Sequence, residues 1–264
     1  PSLLSGNVVY VKFSEYNPKF TQQFQHLINS SPVLKQIIKC SSGDKSIGRE
    51  LLSNDLNFIW FTGSNLVGKE IIKKCVEKNI DYILELGGSN PALILDNAKI
   101  DEVLERIYFE RFLNNGQYCD AIKRIVIHES LHDIFIQRFL KLLESKNIGS
   151  ASSENTEISQ LANKKVFEKT KSQLEDAISK DAKIFNVKTH FQSDYFINPC
   201  LITGVTANMK IWLEEVFGPI LPIMKFKELD EAIEIANNSE FDLGANIFTT
   251  DLKLAQKISL KLNA

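Results

Sequence analysis

The chain has 264 residues, of which 44% are hydrophobic and 24% charged, and its net charge is −2. This composition is typical of a globular protein with one large domain or two smaller ones. Near-neutral charge gives no support for binding to nucleic acid or to an anionic membrane. Apolar runs such as residues 92–95 are too short to span a bilayer, and residues 1–12 do not form a convincing signal peptide. We therefore expect a cytoplasmic protein without nucleic-acid or membrane partners.

Strand-like and helix-like segments alternate along the first third of the chain. Helix 18–31 begins at Asn17-Pro18 and is stopped by Pro32, and short helices are predicted at 47–52 and 66–78. The predicted strands are residues 7–12, 36–40, 58–61 and 82–86. Alternation at this spacing predicts βαβ units and a parallel sheet.

The same alternation restarts after Gly87-Gly88. Further strands are predicted at 92–95, 124–127, 183–185 and 220–225, and further helices at 100–114, 131–146, 162–180, 230–237 and 253–263. Residues 149–160 are polar and predict a loop. Pro1 stands just before a strand and the last helix has no cap, so we expect a piece of a longer protein.

Two short motifs suggest chemistry that their context disfavours. His128-Glu129-Ser130-Leu131-His132 fits the HExxH pattern of zinc hydrolases, but Ser130 and Asp133 predict a helix cap between the two histidines. Residues 63–70, GSNLVGKE, are one residue from a Walker A loop, yet Glu70 replaces the hydroxyl that would bind magnesium. A strand–helix turn there could still contact a phosphate weakly.

Cys119 stands in a context that favours a nucleophile. Four cysteines, at 40, 75, 119 and 200, show no CxxC pair, so neither a disulfide framework nor a zinc site is expected. Any one of them is most often a small buried apolar residue. Cys119, however, follows Asn-Gly-Gln and precedes a strand-like run, where a sharp turn would expose the thiol and its backbone N–H. Glu85, which ends a predicted buried strand in LELGG, is the leading candidate for a general base.

Seven stretches in this order make the chain resemble the NAD(P)-dependent aldehyde dehydrogenases. They are GNVVYVKFSE (6–15), GDKSIGREL (43–51), FTGSNLVGKEI (61–71), ELGGSNPALILDNAKID (85–101), NNGQYCDAIKR (114–124), EEVFGPILPI (214–223) and AIEIANNSEFDLGANIFTTD (232–251). The resemblance implies an α/β fold with a partial Rossmann-type coenzyme domain followed by an α/β catalytic domain. Residues 1–84 would form the second half of the NAD-binding domain, and residues 85–264 a catalytic domain without its C-terminal end.

The resemblance also implies roles for particular residues. Cys119 matches the nucleophile that attacks the aldehyde, and Glu85 the base that activates water to hydrolyse the thioester. The residues that match cofactor-binding positions are Lys12 and Glu15 at the adenosine ribose, Gly63 and Ser64 at the pyrophosphate, Gly87, Glu215 at the nicotinamide ribose and Phe217 against the nicotinamide. The family, like this chain, lacks the GxGxxG fingerprint.

The same resemblance bears on cofactor, substrate and assembly. Glu15 repels a 2′-phosphate and favours NAD over NADP, although NADP remains an alternative. CDAIKR is similar to the non-phosphorylating glyceraldehyde-3-phosphate dehydrogenases of the family, but Tyr118 replaces the arginine that they carry before the cysteine. A simple aliphatic aldehyde or a semialdehyde is an equal alternative to a phosphorylated one. A homo-oligomer is expected for the full-length protein.

Two departures from the family's pattern leave other functions open. Phe13 replaces a usual proline, and the family's oxyanion asparagine belongs to a segment upstream of Pro1. One alternative is therefore a non-catalytic fragment or pseudoenzyme that acts as a binding or assembly module. A zinc hydrolase that uses the HESLH stretch is a second alternative.

Overall fold

A boundary between Glu85 and Leu86 divides the computed structural model, which describes all 264 residues, into two units. The first unit is Pro1–Glu85 and the second is Leu86–Ala264. This boundary lies one residue after the end of the predicted coenzyme domain. The coenzyme and catalytic roles of the two units stay predictions.

The first unit alternates strands with helices. Its strands are β1 (Val9–Ser14), β2 (Ile38–Gly43), β3 (Phe58–Thr62) and β4 (Asp81–Glu85), and its helices are α1 (Pro18–Ser30), α2 (Leu34–Ile37), α3 (Lys45–Ser53) and α4 (Asn65–Lys78). Strand β1 pairs with β2 and β3 pairs with β4, both in parallel. The predicted strand at 36–40 was placed too early. Pairing with β1 extends β2 through Ser42 to Gly43, although those residues alone favour a turn.

Phe13, the departure from the family's usual proline, has a packing role on β1. Its ring lies 5.4 Å from the ring of Phe20 and 5.1 Å from that of Phe24, both edge to face. Phe20 and Phe24 are four residues apart, so they lie on one face of α1. The aromatic cluster therefore fixes α1 against β1, a contact that a proline ring could not provide.

The first unit has a small core and a largely exposed strand pair. Ile71, Cys75 and Ile80 are buried against partly buried residues of α3, β3 and β4. On β3, alternate residues point outward, and Trp60 is 63% exposed. The apolar outer face of this strand pair therefore has no cover within the first unit.

The second unit is built around one six-stranded sheet. Its strands are β5 (Asn90–Ile94), β6 (Ile122–His128), β7 (Lys183–Asn186), β8 (Cys200–Thr203), β9 (Ile220–Phe226) and β10 (Asn246–Phe248), and its helices are α5 (Ile100–Phe112), α6 (Glu129–Glu144), α7 (Lys164–Ser179), α8 (Lys210–Leu213), α9 (Leu229–Asn237) and α10 (Leu252–Ser259). The strand order is β10-β5-β6-β9-β8-β7. All pairs are parallel except β7 with β8, so the parallel sheet is confirmed with one antiparallel edge.

Helices cover both faces of this sheet. Successive residues of β5 alternate between two buried clusters, with Leu93 in one and Ala92 and Ile94 in the other. The Leu93 cluster includes buried residues of α7 to α10, and the opposite cluster includes buried residues of α5 and α6. Leu93 and Ile94 are fully buried, which explains the continuous apolar run at 92–95.

Short elements were the hardest to predict. Strands β8 and β10 and helix α8 have only three or four residues each and were not anticipated. The final helix ends at Ser259 rather than Asn263. None of the helices combines the length and the apolar character that crossing a membrane requires.

Candidate active site

Cys119 lies on a sharp turn between α5 and β6. A 3₁₀ turn, Leu113–Gly116, follows α5, and within it Asn114, Asn115 and Gly116 have φ values of 50°, 56° and 71°. Asparagine and glycine are the residues that adopt this left-handed conformation most readily. The sequence NNG therefore forms the sharp turn that the motif predicted, and Cys119 after it is half-buried rather than exposed.

The turn is anchored from the side by the polar segment near residue 160. Asn115 is buried, and its Nδ2 donates to Gln160 O at 3.0 Å while its Oδ1 accepts from Ser159 N at 2.8 Å. Gln117 Oε1 accepts from Ala162 N at 2.8 Å. Because the buried Asn115 amide has partners for both its nitrogen and its oxygen, it holds one geometry and fixes the segment that carries the thiol.

Gly87 and Gly88 allow two groups to approach the backbone closely. Gly88 N donates to Glu215 Oε1 at 3.2 Å. A Cβ at Gly87 would lie 2.7 Å from Glu215 Oε2, and one at Gly88 would lie 2.6 Å from the Cys119 carbonyl oxygen. The contact at Gly88 is with backbone and excludes a side chain, whereas a side chain at Gly87 would displace the Glu215 carboxylate. The Gly87–Gly88 segment thus contacts both Glu215 and the Cys119 turn, and Phe217 lies two residues after Glu215.

Gly88→Ala is expected to displace the Cys119 turn, because the new Cβ would overlap backbone that has no side-chain freedom to move. Overpacking of this kind costs about 1–3 kcal/mol. Denaturant unfolding should show that loss, and iodoacetamide should alkylate Cys119 at a changed rate. The control is Gly48→Ala in α3, where the added Cβ meets nothing. A variant at Gly88 with parental stability and thiol reactivity would contradict the close contact.

Arg111 holds the loop that carries Phe217. This arginine is fully buried at the end of α5, where its Nε donates to Ile220 O at 3.0 Å. Its Nη atoms donate to Val216 O at 3.4 Å and to Gly218 O. Burial lowers the pKa of the guanidinium to about 10, so the group stays charged at neutral pH. One cation therefore binds three carbonyls of a single loop.

Lys123 lies beneath the Cys119 turn. Its Nζ donates to Tyr118 O at 2.6 Å and to Gly116 O at 3.2 Å, and it lies 4.5 Å from the centre of the Phe217 ring. Burial, followed by the charge of Arg111, holds the pKa of this amine well below its usual range, and Glu215 acts in the opposite direction. The turn and the Phe217 loop thus share one buried lysine.

The remaining predicted residues belong to the first unit. Lys12 Nζ and Glu15 Oε2 are 4.0 Å apart, at the carboxyl end of β1. Gly63 follows β3 and donates its N–H to Glu85 O at 3.0 Å. Ser64 is the N-cap of α4, and its hydroxyl makes no capping hydrogen bond. A hydroxyl at the positive end of a fourteen-residue helix suits an anionic ligand.

One expectation about this unit needs correction, and the Walker A interpretation stays disfavoured. Glu85 does end a strand, but it is exposed, because β4 is paired on one side only and its residues are not buried as predicted. The Walker-like stretch forms no phosphate loop, since α4 begins at Asn65 and Gly68 lies within the helix. Glu70 pairs with Arg49 at 3.1 Å instead of facing a phosphate. Only Gly63 and Ser64 connect the end of β3 with the start of α4.

The HExxH stretch does not have the geometry of a zinc site. His128 is the last residue of β6 and His132 lies in α6, so the pair straddles a strand–helix junction as predicted. The cap itself is His128, whose Nδ1 accepts from Ser130 N at 3.3 Å; the capping role expected of Ser130 was wrong. No group of three or more His, Cys, Asp or Glu side chains is arranged to hold a metal ion.

Two of the other three cysteines are ordinary core residues. Burial raises the pKa of the Cys200 thiol to about 12 and also raises that of Cys75. A thiol becomes a nucleophile only as the thiolate, so these two are unsuited to the role. Cys40 is half-buried in the first unit.

Sequence reasoning missed Arg111 and Lys123. A signal existed for Lys123, since it and Arg124 interrupt the apolar run of β6, where charged residues need dedicated partners. Arg124 is likewise buried, and it donates to Ser89 O at 2.8 Å and Ala236 O at 2.9 Å. Arg111 gave no comparable signal, because an arginine near a helix end is usually solvated.

The comparisons with known proteins agree with this geometry. A family model described as "Aldehyde dehydrogenase family" matches residues 1–264. An aldehyde dehydrogenase of Emericella nidulans is 32% identical over 272 residues and covers 100% of this chain, and retinal dehydrogenase 2 of Taeniopygia guttata is 33% identical over 268 residues with the same coverage. The structure of putative aldehyde dehydrogenase PutA from Anabaena variabilis superposes with a TM-score of 0.93 over 99% of the chain at 30% identity. Lactaldehyde dehydrogenase from Escherichia coli gives 0.91, again over 99%, at 28% identity.

The matched share of each relative is smaller than that of this chain. The chain covers 54% of the Emericella protein, 52% of the Taeniopygia protein and 56% of each of the two structures, so it spans about half the length of its relatives. The match nevertheless includes every residue of the chain and each of the stretches quoted above. The chain belongs to the aldehyde dehydrogenase family.

Proposed function

We propose that this chain supplies the nucleophile and most of the coenzyme contacts of an enzyme that oxidises an aldehyde to a carboxylic acid with NAD(P). The observation that carries the proposal is the Cys119 turn, which is packed against Gly88 while the Glu215 carboxylate binds the same glycine. A half-buried thiol on a fixed turn suits covalent catalysis. We also propose that the protein is located in the cytoplasm and that the full-length protein forms a homo-oligomer.

The chemistry would proceed through a covalent thioester. The Cys119 thiolate adds to the aldehyde carbon, a C–S bond forms, and the carbonyl electron pair moves to oxygen. The backbone N–H of Cys119 donates to no atom of the chain, so it can donate to that oxyanion. Bound NAD(P), held by the residues named below, would supply the hydride acceptor, so that loss of hydride from the carbon re-forms the carbonyl as a thioester. Glu85 then takes a proton from water, which hydrolyses the thioester to the acid and the free thiol.

The coenzyme residues fit NAD(P) chemically. Glu15 offers carboxylate oxygens to ribose hydroxyls, and Lys12 beside it offers a donor. Ser64 and the N-terminus of α4 suit the pyrophosphate. The carboxylate of Glu15 repels a 2′-phosphate, so NAD is the preferred form. A solved relative from Sinorhizobium meliloti is described as an NAD-dependent aldehyde dehydrogenase.

The substrate class rests on Tyr118, which precedes the nucleophile. Its hydroxyl donates to Glu110 O and to Phe109 O at the end of α5. This side chain is therefore engaged and carries no positive charge toward a substrate phosphate. We propose an uncharged aliphatic aldehyde or a semialdehyde rather than a phosphorylated aldehyde.

The direct test is NADH formation with a panel of aldehydes, with NAD and NADP compared at equal protein concentration. The panel should include an aliphatic aldehyde, a semialdehyde and glyceraldehyde 3-phosphate, with the carboxylic acid product quantified. We expect turnover with NAD and an unphosphorylated aldehyde. A folded chain that binds NAD but forms neither NADH nor acid with any aldehyde would favour the alternative, a binding or assembly module.

Glu85→Gln is expected to separate the two halves of the reaction. Hydride transfer needs Cys119 but not the base, so a burst of NADH equal to the enzyme concentration should remain. Steady-state turnover should fall by about 10²–10⁴, the usual contribution of a general base. Rapid-mixing absorbance of NADH measures both phases. Loss of the burst together with the steady state would assign Glu85 to another role. Glu77→Gln on exposed α4 provides the control.

A further inference from the structure

Lys123 binds the peptide group between Tyr118 and Cys119, whose N–H is the proposed hydrogen-bond donor to the oxyanion. The carbonyl that it contacts at 2.6 Å belongs to Tyr118, so the same peptide unit carries the N–H of Cys119. The chain has no cis peptide bonds, and in a trans peptide the C=O and N–H point in opposite directions. With its carbonyl held by Lys123 in the interior, this peptide must direct the Cys119 N–H away from Lys123.

The contacts of Lys123 leave little freedom for that peptide. The lysine is fully buried, and its donors are met by two carbonyls of the turn and by the face of the Phe217 ring. At 2.6 Å the hydrogen bond from Lys123 Nζ to Tyr118 O is short for an N–H donor. It also polarises the amide that accepts it, so the opposite N–H becomes a better donor.

We propose that Lys123 is a positioning residue that orients and polarises the Tyr118–Cys119 peptide, so that the Cys119 N–H stabilises the oxyanion formed on the thiol's target. The proposal rests on the proposed nucleophilic role of Cys119. It makes the backbone donor depend on a side chain four residues further along the chain. In this role Lys123 itself contacts neither the substrate that the thiolate attacks nor the coenzyme.

The test compares two reactions of Cys119 that differ only in their need for an oxyanion. In the reaction with p-nitrophenyl acetate, the thiolate adds to the ester carbonyl, the electron pair moves to oxygen, and the oxyanion collapses with release of p-nitrophenolate. In the reaction with iodoacetamide, the thiolate displaces iodide and no oxyanion forms. Peptide mass spectrometry follows both adducts at Cys119, so neither rate requires aldehyde oxidation.

Lys123→Met is expected to slow acetylation of Cys119 by at least about tenfold, a fraction of the 10²–10³ that loss of a whole oxyanion donor costs. Alkylation should stay within about threefold of the parent rate. Lys146→Met is the matched control, since that lysine also lies over an aromatic ring, at 4.1 Å from the centre of Tyr108, but pairs with Glu157 and not with the carbonyls of the turn. Neither rate should change in the control.

The remaining outcomes would overturn the proposal. Equal losses in both rates would mean that Lys123 only maintains the fold of the turn, and unchanged rates would mean that the peptide needs no support. If Lys123→Met fails to fold, Lys123→Gln, which keeps one neutral donor, is used for the same comparison. Loss of aldehyde oxidation without a selective loss of acetylation would contradict the role of Lys123 while leaving the proposed function intact.

Discussion

Replacement of Cys119 by alanine is expected to abolish aldehyde-dependent NADH formation, to below about a thousandth of the parent rate, because the covalent route is lost entirely. The fold should survive, since the side chain is small and only half-buried. NADH absorbance with the best aldehyde of the panel measures the activity, and denaturant unfolding measures stability. A residual rate near that of the parent would eliminate Cys119 as the nucleophile.

Cys40→Ala is the matched control for this experiment. Cys40 is also a half-buried free thiol, but it lies on β2 in the first unit and has no predicted catalytic role. Its replacement should leave turnover within about twofold of the parent rate. A large loss at Cys40 as well would indicate a general sensitivity to thiol removal rather than a specific nucleophile.

Replacement of Arg111 by methionine is expected to give the largest loss of stability. Methionine retains most of the apolar stem but leaves the carbonyls of Val216, Gly218 and Ile220 without their buried donor. Unpaired buried groups cost about 1–3 kcal/mol each, and relief of the buried charge returns part of this, so the free energy of unfolding should fall by about 3–5 kcal/mol. Chemical denaturation followed by far-UV circular dichroism measures the change.

A surface arginine provides the comparison for Arg111. Arg138 pairs with Asp101 at 2.6 Å, but both side chains are well exposed to solvent. Arg138→Met should change stability by less than about 1 kcal/mol. If the two arginine variants were equally stable, the loop from Val216 to Ile220 would not depend on the buried cation, and the assignment of Arg111 would be wrong.

Much of this molecule follows from local sequence rules. The long elements were predictable because helix α4 and residues 125–127 of strand β6 have regular patterns of apolar residues. The Cys119 turn was predictable because Asn-Asn-Gly matches the left-handed conformation that it adopts. Ser41 to Gly43 could not be placed from sequence, since pairing with β1 decides the conformation of those residues.

The candidate site was less predictable than the fold. The resemblance named Glu215, but only the structure shows its carboxylate bound to Gly88 N. Lys123 and Arg111 act on backbone carbonyls far away in the chain or across a turn, and no local pattern encodes such partners. The burial expected of Glu85 was wrong because strand pairing, not composition, determines which side of β4 is covered.

Strand β6 directs two neighbouring buried basic residues to different targets. Lys123 reaches the Cys119 turn, while Arg124, the next residue, donates to Ser89 O and to the carbonyl end of α9. The β5–β6 pairing shifts register here, with Asn90 opposite Ile122 and Pro91 opposite Arg124, so Lys123 is the extra residue of a bulge. A single-residue insertion or deletion before this pair would misplace both side chains. The segment from Cys119 to Arg124 should therefore tolerate substitution at its apolar positions. Its length should be fixed in homologues that keep both Lys123 and Arg124.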